Sequence, residues 1–595
     1  MSQSVPIELS DSEDEDLKRA IAMSLAEEPA ALVANQPSNT RPRMPGPSTL
    51  PTPPSSQGTG IPGLDRRAME QERLARLATR IPKRERSVSP PALSRPTKVS
   101  RIGSFARSLH NFATPIASPQ QNEADGAQDT DTRPYPIPKS FQQDLQYPHG
   151  VVRKTWAFGH ERVNDVKIEE VLEPATLRTA VLSAFQWDDE WVISKVNLKQ
   201  TKLIFVMQEK DHTQRAELLN ATESKSLRVC LPPMPPMVNC MHSKLMLLFH
   251  PHKLRIAIPS ANLVPYDWGE TGTMENSVFM IDLPRKDETA CAELPSFAKE
   301  LLFFLEKSNL HEDARNGLLN FDFSATKDYA FVHSVGGSHY GQDLQRTGLV
   351  GLSKAVRDLG LQTEDLQLDF AASSIGSLND EYLRAVHSAA RGVDPVASGS
   401  APAKSSRHPA AATDTSIRDK FRIYFPTHAT VTSSTGGHAG TICLQRRWFE
   451  SDKFPKVCFR DYQSTRKGLL SHNKILYARG KSVAWAYVGS ANMSESAWGK
   501  LVWDRSRKEW KLNCKNWECG VLIPVGSTRD HQRKTTDDET ASEDEASDSE
   551  DGVQQTHVEP GGSIPMSVFK DKIGVPFQYP GQLYDGKEPW YFTEH

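Results

Sequence analysis

A pattern built on histidine, lysine and asparagine occurs twice in this chain, and a constant 230 positions separate the two copies. The first copy reads Met241-His242-Ser243-Lys244, and Ser260-Ala261-Asn262 ends eighteen residues after the lysine. The second copy reads His472-Asn473-Lys474, and Ser490-Ala491-Asn492 ends at the same distance. Two copies are too few for a solenoid, which needs about three repeats or more. The repeat therefore predicts a duplicated domain with two similar lobes.

The residues that follow each histidine predict strands. In both copies the lysine leads into an apolar run, at 245–249 and 475–478, which is typical of a buried strand. Histidine and lysine are two residues apart, so both point to the same face of a strand. A second predicted strand, at 254–258 and 483–488, leads to each asparagine. A helix is predicted upstream, over 168–184, where it would cover the first sheet.

These side chains, supplied twice, suit the displacement of a phosphodiester. Its negative charge lies on non-bridging oxygens, and catalysis depends on positioning and on stabilising that charge. Two lysines and two asparagines supply fixed donors. Two histidines supply a nucleophile for phosphorus and a group that protonates the departing oxygen and then activates water. No metal ion or cofactor is required, and the residues alone do not say which histidine has which task.

The chain resembles the phospholipase D superfamily, whose repeat reads His-x-Lys, then Asp, then Gly-Ser-x-Asn. Phe249 and Arg479 stand where that repeat has its Asp, five residues after each lysine. The tyrosyl-DNA phosphodiesterase branch also lacks both aspartates. Ser373-Ser374-Ile375-Gly376-Ser377-Leu378 is similar to the DNA-contacting serine loop of that branch. Trp517-Glu518-Cys519-Gly520-Val521-Leu522 is similar to the strand after its second motif, with Glu275-Asn276-Ser277-Val278-Phe279 as the counterpart in the first lobe.

The resemblance covers roughly residues 141–595 and implies a fold. That fold is α/β, with two similar α/β/α sandwich lobes whose mixed sheets are related by a pseudo-two-fold axis, preceded by a disordered N-terminal tail. The first predicted lobe spans 141–347. The second spans 348–595 and carries flexible insertions at 391–416 and 529–560.

The resemblance also implies roles for individual residues. His242 is the nucleophile that forms a phosphohistidine bond to the DNA 3′ end, and His472 is the general acid and base. Glu518 and Glu275 are expected to orient His472 and His242 through the second ring nitrogen. The residues expected to hold the phosphoryl oxygens are Lys244, Lys474, Asn262 and Asn492. Those expected to contact DNA are Ser373, Ser374, Ser377, Arg446 and Arg447, and those expected on the substrate-peptide side are Trp187 and Trp590.

The implied activity belongs to DNA repair. It is hydrolysis of the bond between a DNA 3′ phosphate and a topoisomerase I tyrosine or another 3′ blocking group, on single-stranded or nicked DNA ends. One alternative is a phospholipase or nuclease of the same superfamily, which the missing aspartates disfavour. Another is a ubiquitin-binding adaptor with catalytically dead lobes, which the intact histidine, lysine and asparagine of both copies disfavour.

The N-terminal stretch, residues 1–28, predicts a helix with one apolar face after an acidic cluster. It resembles a ubiquitin-interacting motif, in which acidic residues precede apolar-x-x-Ala-x-x-x-Ser-x-x-Glu. The implied partner is ubiquitin or a ubiquitylated protein. The residues expected to bind it are Leu17, Ala20, Ile21, Ser24 and Glu27.

Composition and charge indicate which parts of the chain are disordered and in which compartment the protein acts. Residues 29–140 are rich in Pro, Ser and Arg, which predicts a disordered linker. The whole chain carries a net charge of −3, and the acidic stretches at 8–28 and 529–551 carry −6 and −7, so the remaining residues carry +10, which suits an anionic polymer. Seven cysteines without a Cys-x-x-Cys pair favour reduced thiols. No apolar run approaches the ~18 residues of a membrane span. A nuclear, monomeric protein is expected, with candidate phosphorylation sites at Ser89, Ser118, Ser542, Ser547 and Ser549.

Overall fold

The structure is a computed structural model that describes residues 145–221, 226–286, 293–396, 415–438, 441–525 and 562–592. The predicted ubiquitin-interacting helix, the linker and the five candidate phosphorylation sites lie outside these ranges. So do residues 397–414 and 529–560, which contain most of the first predicted insertion and all of the second. In the described part of the chain, no helix is both long enough and apolar enough to cross a membrane.

Short strands dominate the described residues. In chain order they are β1 (Val151–Thr155), β2 (Asp165–Val166), β3 (Thr179–Ser183), β4 (Lys202–Val206), β5 (Leu227–Cys230), β6 (Cys240–Met241), β7 (Leu245–Phe249), β8 (Lys253–Pro259), β9 (Met274–Glu275), β10 (Ser277–Pro284), β11 (Ala330–Ser334), β12 (Gly337–His339), β13 (Gln367–Ala372), β14 (Phe421–Phe425), β15 (Phe459–Asp461), β16 (Leu470–Ser471), β17 (Lys474–Arg479), β18 (Ala484–Gly489), β19 (Lys500–Asp504), β20 (Glu509–Cys514) and β21 (Asn516–Pro524).

Helices connect and cover these strands. In chain order they are α1 (Ile168–Leu172), α2 (Asp189–Ser194), α3 (His212–Ala221), α4 (Ser296–Lys307), α5 (Glu312–Leu318), α6 (Gly341–Leu344), α7 (Gly348–Asp358), α8 (Asp380–Ala390), α9 (Thr415–Asp419), α10 (His428–Thr432), α11 (Arg446–Phe449) and α12 (Glu495–Trp498). A 3₁₀ turn at Pro265–Trp268 follows the asparagine of the first motif.

Two large mixed sheets correspond strand by strand. The first has the order β2-β1-β10-β8-β7-β3-β4-β5, and the second has the order β11-β21-β18-β17-β13-β14-β15. In each sheet the last three strands run parallel to one another, and the strand before them, β7 or β17, is antiparallel to its neighbour among them. The edge strand β2 is parallel to β1 and has no counterpart among the described strands of the second sheet. The hairpins that carry the motifs share one register, because Leu247 opposes Ile256 and Tyr477 opposes Ala486, each 230 positions on. The prediction of two similar mixed-sheet lobes is confirmed.

Apolar side chains cover both faces of each sheet. A central cluster takes residues from the two sheets and from one face of α4, including Phe297 and Phe304. On the outer side of the first sheet α1 and α2 contribute to a second cluster, and on the outer side of the second sheet α7 and α8 contribute to a third. Burying these faces supplies the main favourable free energy of folding.

Two short parallel pairings cross from one lobe to the other. Immediately before the first motif β6 pairs with β21, and immediately before the second motif β16 pairs with β9. The two motif histidines make further hydrogen bonds between the lobes. The backbone N–H of His242 donates to the backbone oxygen of Trp517 (2.9 Å), and that of His472 donates to the backbone oxygen of Glu275 (3.0 Å). Each histidine is therefore fixed to the backbone of the opposite lobe.

Two predictions about the fold were wrong. The helix predicted over 168–184 ends at Leu172, because Glu173 adopts a left-handed conformation (φ 46°) and the proline after it cannot continue a helix. The remainder forms β3, which fills the gap between β7 and β4. The lobe boundary predicted near 347 comes too late, since β11 already lies in the second sheet, paired with β21.

Candidate active site

The two copies of the motif meet in one buried site between the lobes. The lysines, Lys244 and Lys474, are fully buried, and each ammonium donates to the backbone oxygen of its own motif histidine, at 2.7 and 2.5 Å. Burial lowers the pKa of Lys244 to about 8, with partial compensation from Glu518. Burial and the neighbouring Lys244 hold the pKa of Lys474 well below its usual range. The site thus brings two buried lysine side chains together, and these can donate hydrogen bonds to an anion.

His242 is held by a carboxylate from the second lobe. Its Nδ1 lies 2.8 Å from Oε2 of Glu518, which also accepts hydrogen bonds from Ser490 Oγ (2.5 Å) and, at Oε1, from Asn516 Nδ2 (3.1 Å). Burial lowers the pKa of His242 to about 4, although Glu518 opposes that shift. A neutral ring that donates from Nδ1 leaves Nε2 with an unshared electron pair.

His472 faces a carboxylate from the first lobe, with a looser contact. Its Nδ1 lies 3.2 Å from Oδ2 of Asp267, and the same oxygen accepts the N–H of Asn262 at 2.6 Å. Burial lowers the pKa of His472 to about 4. Burial alone would raise the pKa of Asp267, but His472, the Asn262 N–H and Lys474 together lower it to about 2. Asp267 is therefore an anion beside a neutral imidazole.

The two asparagines have their side-chain oxygens occupied. Oδ1 of Asn492 accepts from the backbone N–H of Ser374 (3.0 Å) and from the hydroxyl of Ser373 (3.3 Å). Oδ1 of Asn262 accepts from the N–H of Gln186 at 3.2 Å. The amide nitrogen of Asn492 is thereby left as the end of that side chain that can donate to a bound anion.

The predicted pairing of glutamates with histidines was wrong. Glu518 orients His242, and Glu275 contacts Arg466 (2.9 Å), Ser464 (2.7 Å) and Tyr462 (3.1 Å) instead of a histidine ring. The register explains the error. Ile258 and Val488 are equivalent positions 230 residues apart, and their strand partners are Phe279 and Val521. Glu518 lies three residues before Val521, so its first-lobe counterpart is Asn276, three residues before Phe279. Neighbouring residues of a strand point to opposite faces, which turns Glu275 away.

Aromatic contact with the site comes from an unpredicted residue. The ring of Phe185 lies 5.4 Å from that of His242, and Phe185 is half-buried. Trp187, expected on the substrate-peptide side, donates from its indole to the Ala184 oxygen and packs edge-on against Phe205 in the outer cluster of the first lobe. Trp590 is 2% exposed and stacks with His428, so its ring offers little surface to a peptide.

The residues expected to contact DNA differ in their burial and in the side chains they contact. Ser373 is buried and is engaged with Asn492, so it supports the site from behind. Ser374 is half-buried beside it, and Ser377 is exposed. The guanidinium of Arg446 pairs with Glu588 (3.0 Å) and lies over the ring of Tyr591. Arg447 donates to Gln445 at 2.8 Å and lies near Trp448.

Sequence reasoning missed Asp267 and Phe185. Asp267 is next to Trp268-Gly269, which recurs as Trp498-Gly499, but position 497 of the second copy is Ala497. A carboxylate present in one copy of a repeat and absent from the other was the available signal. Phe185 carries no motif, because it reaches His242 through the pairing of β3 with β7, which no local pattern encodes.

Comparison with known proteins agrees with both resemblances drawn from the motifs. The family model described as tyrosyl-DNA phosphodiesterase matches residues 151–585, and the model described as ubiquitin interaction motif matches residues 12–28. A probable tyrosyl-DNA phosphodiesterase of Caenorhabditis elegans is 25% identical over 377 residues, which are 60% of this chain and 78% of that protein. Tyrosyl-DNA phosphodiesterase 1 of Arabidopsis thaliana is 24% identical over 385 residues, which are 60% of this chain and 58% of that protein.

A solved structure shares the fold. The crystal structure of a mutant yeast tyrosyl-DNA phosphodiesterase superimposes with a TM-score of 0.52 at 17% identity, and the match covers 74% of this chain and all of that one (100%). The non-mutant yeast protein gives a TM-score of 0.50 over the same share of this chain, at 18% identity. These likenesses concern the arrangement of the sheets.

Burial of the motif histidines predicts a loss of stability in acid. The pKa of His472 is about 4 in the folded chain and about 6.5 in an unfolded chain, so the unfolded state binds more protons across that window. The free energy of unfolding therefore falls as pH drops from 6.5 towards 4. His472→Gln has no ring to protonate at this position. We therefore expect its free energy of unfolding to fall by about 2 kcal/mol less than that of the parent between pH 7 and pH 5.

Urea denaturation at a series of pH values measures the difference. His149→Gln is the matched control, because His149 is exposed. Parallel pH profiles for the parent and His472→Gln would contradict the prediction.

Proposed function

The chain belongs to the tyrosyl-DNA phosphodiesterase family, whose model spans residues 151–585, and we propose that it hydrolyses the bond between a DNA 3′ phosphate and a tyrosine. Topoisomerase I adducts and other 3′ blocking groups on single-stranded or nicked DNA are the proposed substrates. One observation carries the proposal. Two histidines and two lysines from lobes 230 positions apart converge on one buried site, and each histidine meets a carboxylate of the opposite lobe.

The first proposed step is attack on phosphorus. Nε2 of His242 forms a bond to phosphorus while the bond to the tyrosine oxygen breaks, and His472 gives its proton to that oxygen. Lys244, Lys474 and the Asn492 amide stabilise the charge on the non-bridging oxygens. The phosphorylated His242 ring is cationic because it keeps the proton on Nδ1, and the hydrogen bond to Glu518 stabilises that charge.

The second proposed step is hydrolysis. His472, now neutral, takes a proton from water as the water oxygen attacks phosphorus, and the bond between phosphorus and His242 breaks. The products are a DNA 3′ phosphate and free His242. Burial keeps His472 neutral at neutral pH, so it needs a proton before it can act as an acid. An anionic phosphate next to Lys474 offsets the positive field there and raises the proton affinity of His472.

The contacts of the two rings support this division of labour. A nucleophile must hold one orientation towards phosphorus, and His242 has the shorter contact, 2.8 Å to a glutamate that two further donors fix. The acid and base must serve the tyrosine oxygen and then a water molecule. His472 has the longer contact, 3.2 Å to Asp267. Phe185 supplies an apolar wall beside the nucleophile, which suits the flat face of a base or a phenol ring.

The proposed reaction is tested with a single-stranded oligonucleotide that carries a 3′-phosphotyrosine, in excess EDTA, beside the same oligonucleotide with a free 3′ hydroxyl. We expect the first to become a 3′ phosphate and the second to stay intact, because none of the proposed steps involves a metal ion and they need an activated 3′ leaving group. Cutting of both oligonucleotides would indicate a nuclease. No reaction of either would indicate a catalytically inactive protein.

Replacement of His472 separates the two steps. In His472→Asn we expect attack by His242 to continue, because a phenol is a good leaving group, and hydrolysis to stall without a base. A denaturing gel should then show protein joined to DNA, with turnover reduced by about 100-fold or more. The double variant His242→Ala/His472→Asn is the control and should form no adduct. An adduct in that control, or none in His472→Asn, would contradict the assigned roles.

We also propose that the N-terminal motif binds ubiquitin and that the protein acts in the nucleus, where its DNA substrate lies. The family match at residues 12–28 supports the first part. In a titration of labelled ubiquitin with the full chain, Ala20→Arg should abolish binding, because the sequence pattern puts Ala20 on the apolar face of the predicted helix. Ala22→Arg, on the opposite face, is the matched control and should retain binding. Equal effects of the two variants would refute a helix face as the binding surface.

A further inference from the structure

A basic hairpin extends from the second lobe beside the site. Strands β19 and β20 form it, and β20 also pairs with β12 to make a three-stranded sheet separate from the two large ones. Between residues 500 and 515 the chain has six basic residues and two acidic ones. The four residues of its tip, 505–508, are all exposed. None of the steps proposed above uses this hairpin.

The tip is held in one conformation. Oδ1 of Asp504 accepts hydrogen bonds from the backbone N–H of Ser506 (2.9 Å), from its hydroxyl (2.6 Å) and from the N–H of Arg507 (3.2 Å). Trp503 opposes Trp510 across the strands, with ring centroids 5.4 Å apart in an edge-to-face arrangement. These contacts stiffen the hairpin, so its charged ends project at fixed positions.

Two cations at the tip have no ion-pair partner among the described residues. Arg507 and Lys511 lie near carboxylates, at 3.5 and 3.7 Å, whereas Arg505 and Lys508 are exposed and lack one. Lys508 also has a φ of 54°, in the left-handed region that favours glycine. Backbone strain of this kind is often found at binding sites, which makes Lys508 a candidate for a contact.

Both ends of the hairpin are attached to the site. The backbone N–H of Gly376 in the serine loop donates to the oxygen of Met493, the residue after Asn492, and α12 then leads into β19. After β20, the oxygen of Lys515 accepts the N–H of Asn239, three residues before His242. The hairpin thus emerges on the side of the serine loop, the side expected to face DNA.

We propose that Arg505 and Lys508 bind backbone phosphates of the substrate DNA upstream of its reacting 3′ end, an inference that rests on the proposed function. Each strand of the hairpin has five or six residues, so at about 3.3 Å per residue the tip lies at most roughly 16 Å beyond Lys500. Phosphates of one strand of a duplex follow at about 3.4 Å along the axis, so the tip lies up to about five nucleotide spacings beyond Lys500. Shorter substrates do not reach it.

The test compares 3′-phosphotyrosyl oligonucleotides of four and of twenty nucleotides, the longer one both single-stranded and in a nicked duplex. For Arg505→Ala/Lys508→Ala we expect KM for the long substrates to rise roughly ten-fold with kcat unchanged, and the slope of log kcat/KM against log salt to fall by about 1.5. KM for the four-nucleotide substrate should change by less than about two-fold, since that substrate makes no contact with the tip. Lys199→Ala/Lys202→Ala, which removes two exposed lysines of the first lobe, is the matched control.

A single substitution separates binding from folding. Lys508→Gly suits the left-handed backbone, so we expect its Tm to equal or exceed that of the parent while KM for long substrates rises. Unchanged KM and unchanged salt dependence in both hairpin variants would overturn the inference, including the case in which the hairpin binds an acidic protein segment instead. Failure of the parent on substrates of every length would instead refute the proposed function.

Discussion

The structure depends on an exchange of carboxylates between the lobes, because each motif histidine lies against an acidic residue of the opposite lobe. Two lysines and two histidines lie in one site from which water is largely excluded, and burial is the main influence on the pKa of each of them. Isolated charges in such a place would cost several kcal/mol each. Glu518 reaches the first motif from the second lobe, and Asp267 reaches the second motif from the first lobe. The association of the lobes is therefore a condition for the site to exist.

The exchange between the lobes is symmetric in backbone and asymmetric in side chains. The pairing of β6 with β21 has its counterpart in the pairing of β16 with β9. The carboxylates break this symmetry, because Asn276 occupies the position equivalent to Glu518 and Ala497 the position equivalent to Asp267. A duplicated scaffold thereby gives two chemically different environments to two copies of one residue. That difference fits the proposed division of labour, in which one imidazole forms a bond to phosphorus and the other transfers protons.

The repeated sequence pattern correctly predicted the features that recur at a constant offset of 230 residues. The two hairpins and the convergence of two histidines and two lysines followed from spacing at 230 positions, and the family followed from the resemblance of these motifs and from the two missing aspartates. Prediction from the sequence pattern failed where strand register, or pairing between distant residues, determines which element forms and where a side chain points. A shift of one residue along β9 turned Glu275 towards Arg466, and a strand that closes a sheet replaced the helix predicted over 168–184. Phe185 rather than Trp187 reached the site because pairing in the first sheet, which involves distant residues, sets which aromatic points inward.

The sequence distance between His242 and Glu518, 276 residues, has a consequence for synthesis of the protein. A nascent chain that has left the ribosome only through the first lobe holds His242 and Lys244 without the anion that orients the histidine. The second histidine is then absent as well, because it lies 230 positions further on. The contacts of the proposed nucleophile are completed when β21, one of the last strands, emerges and pairs with β6. Under the proposed mechanism, partial products of translation would be inert, and the imidazole that attacks phosphorus would become available together with the group that releases it.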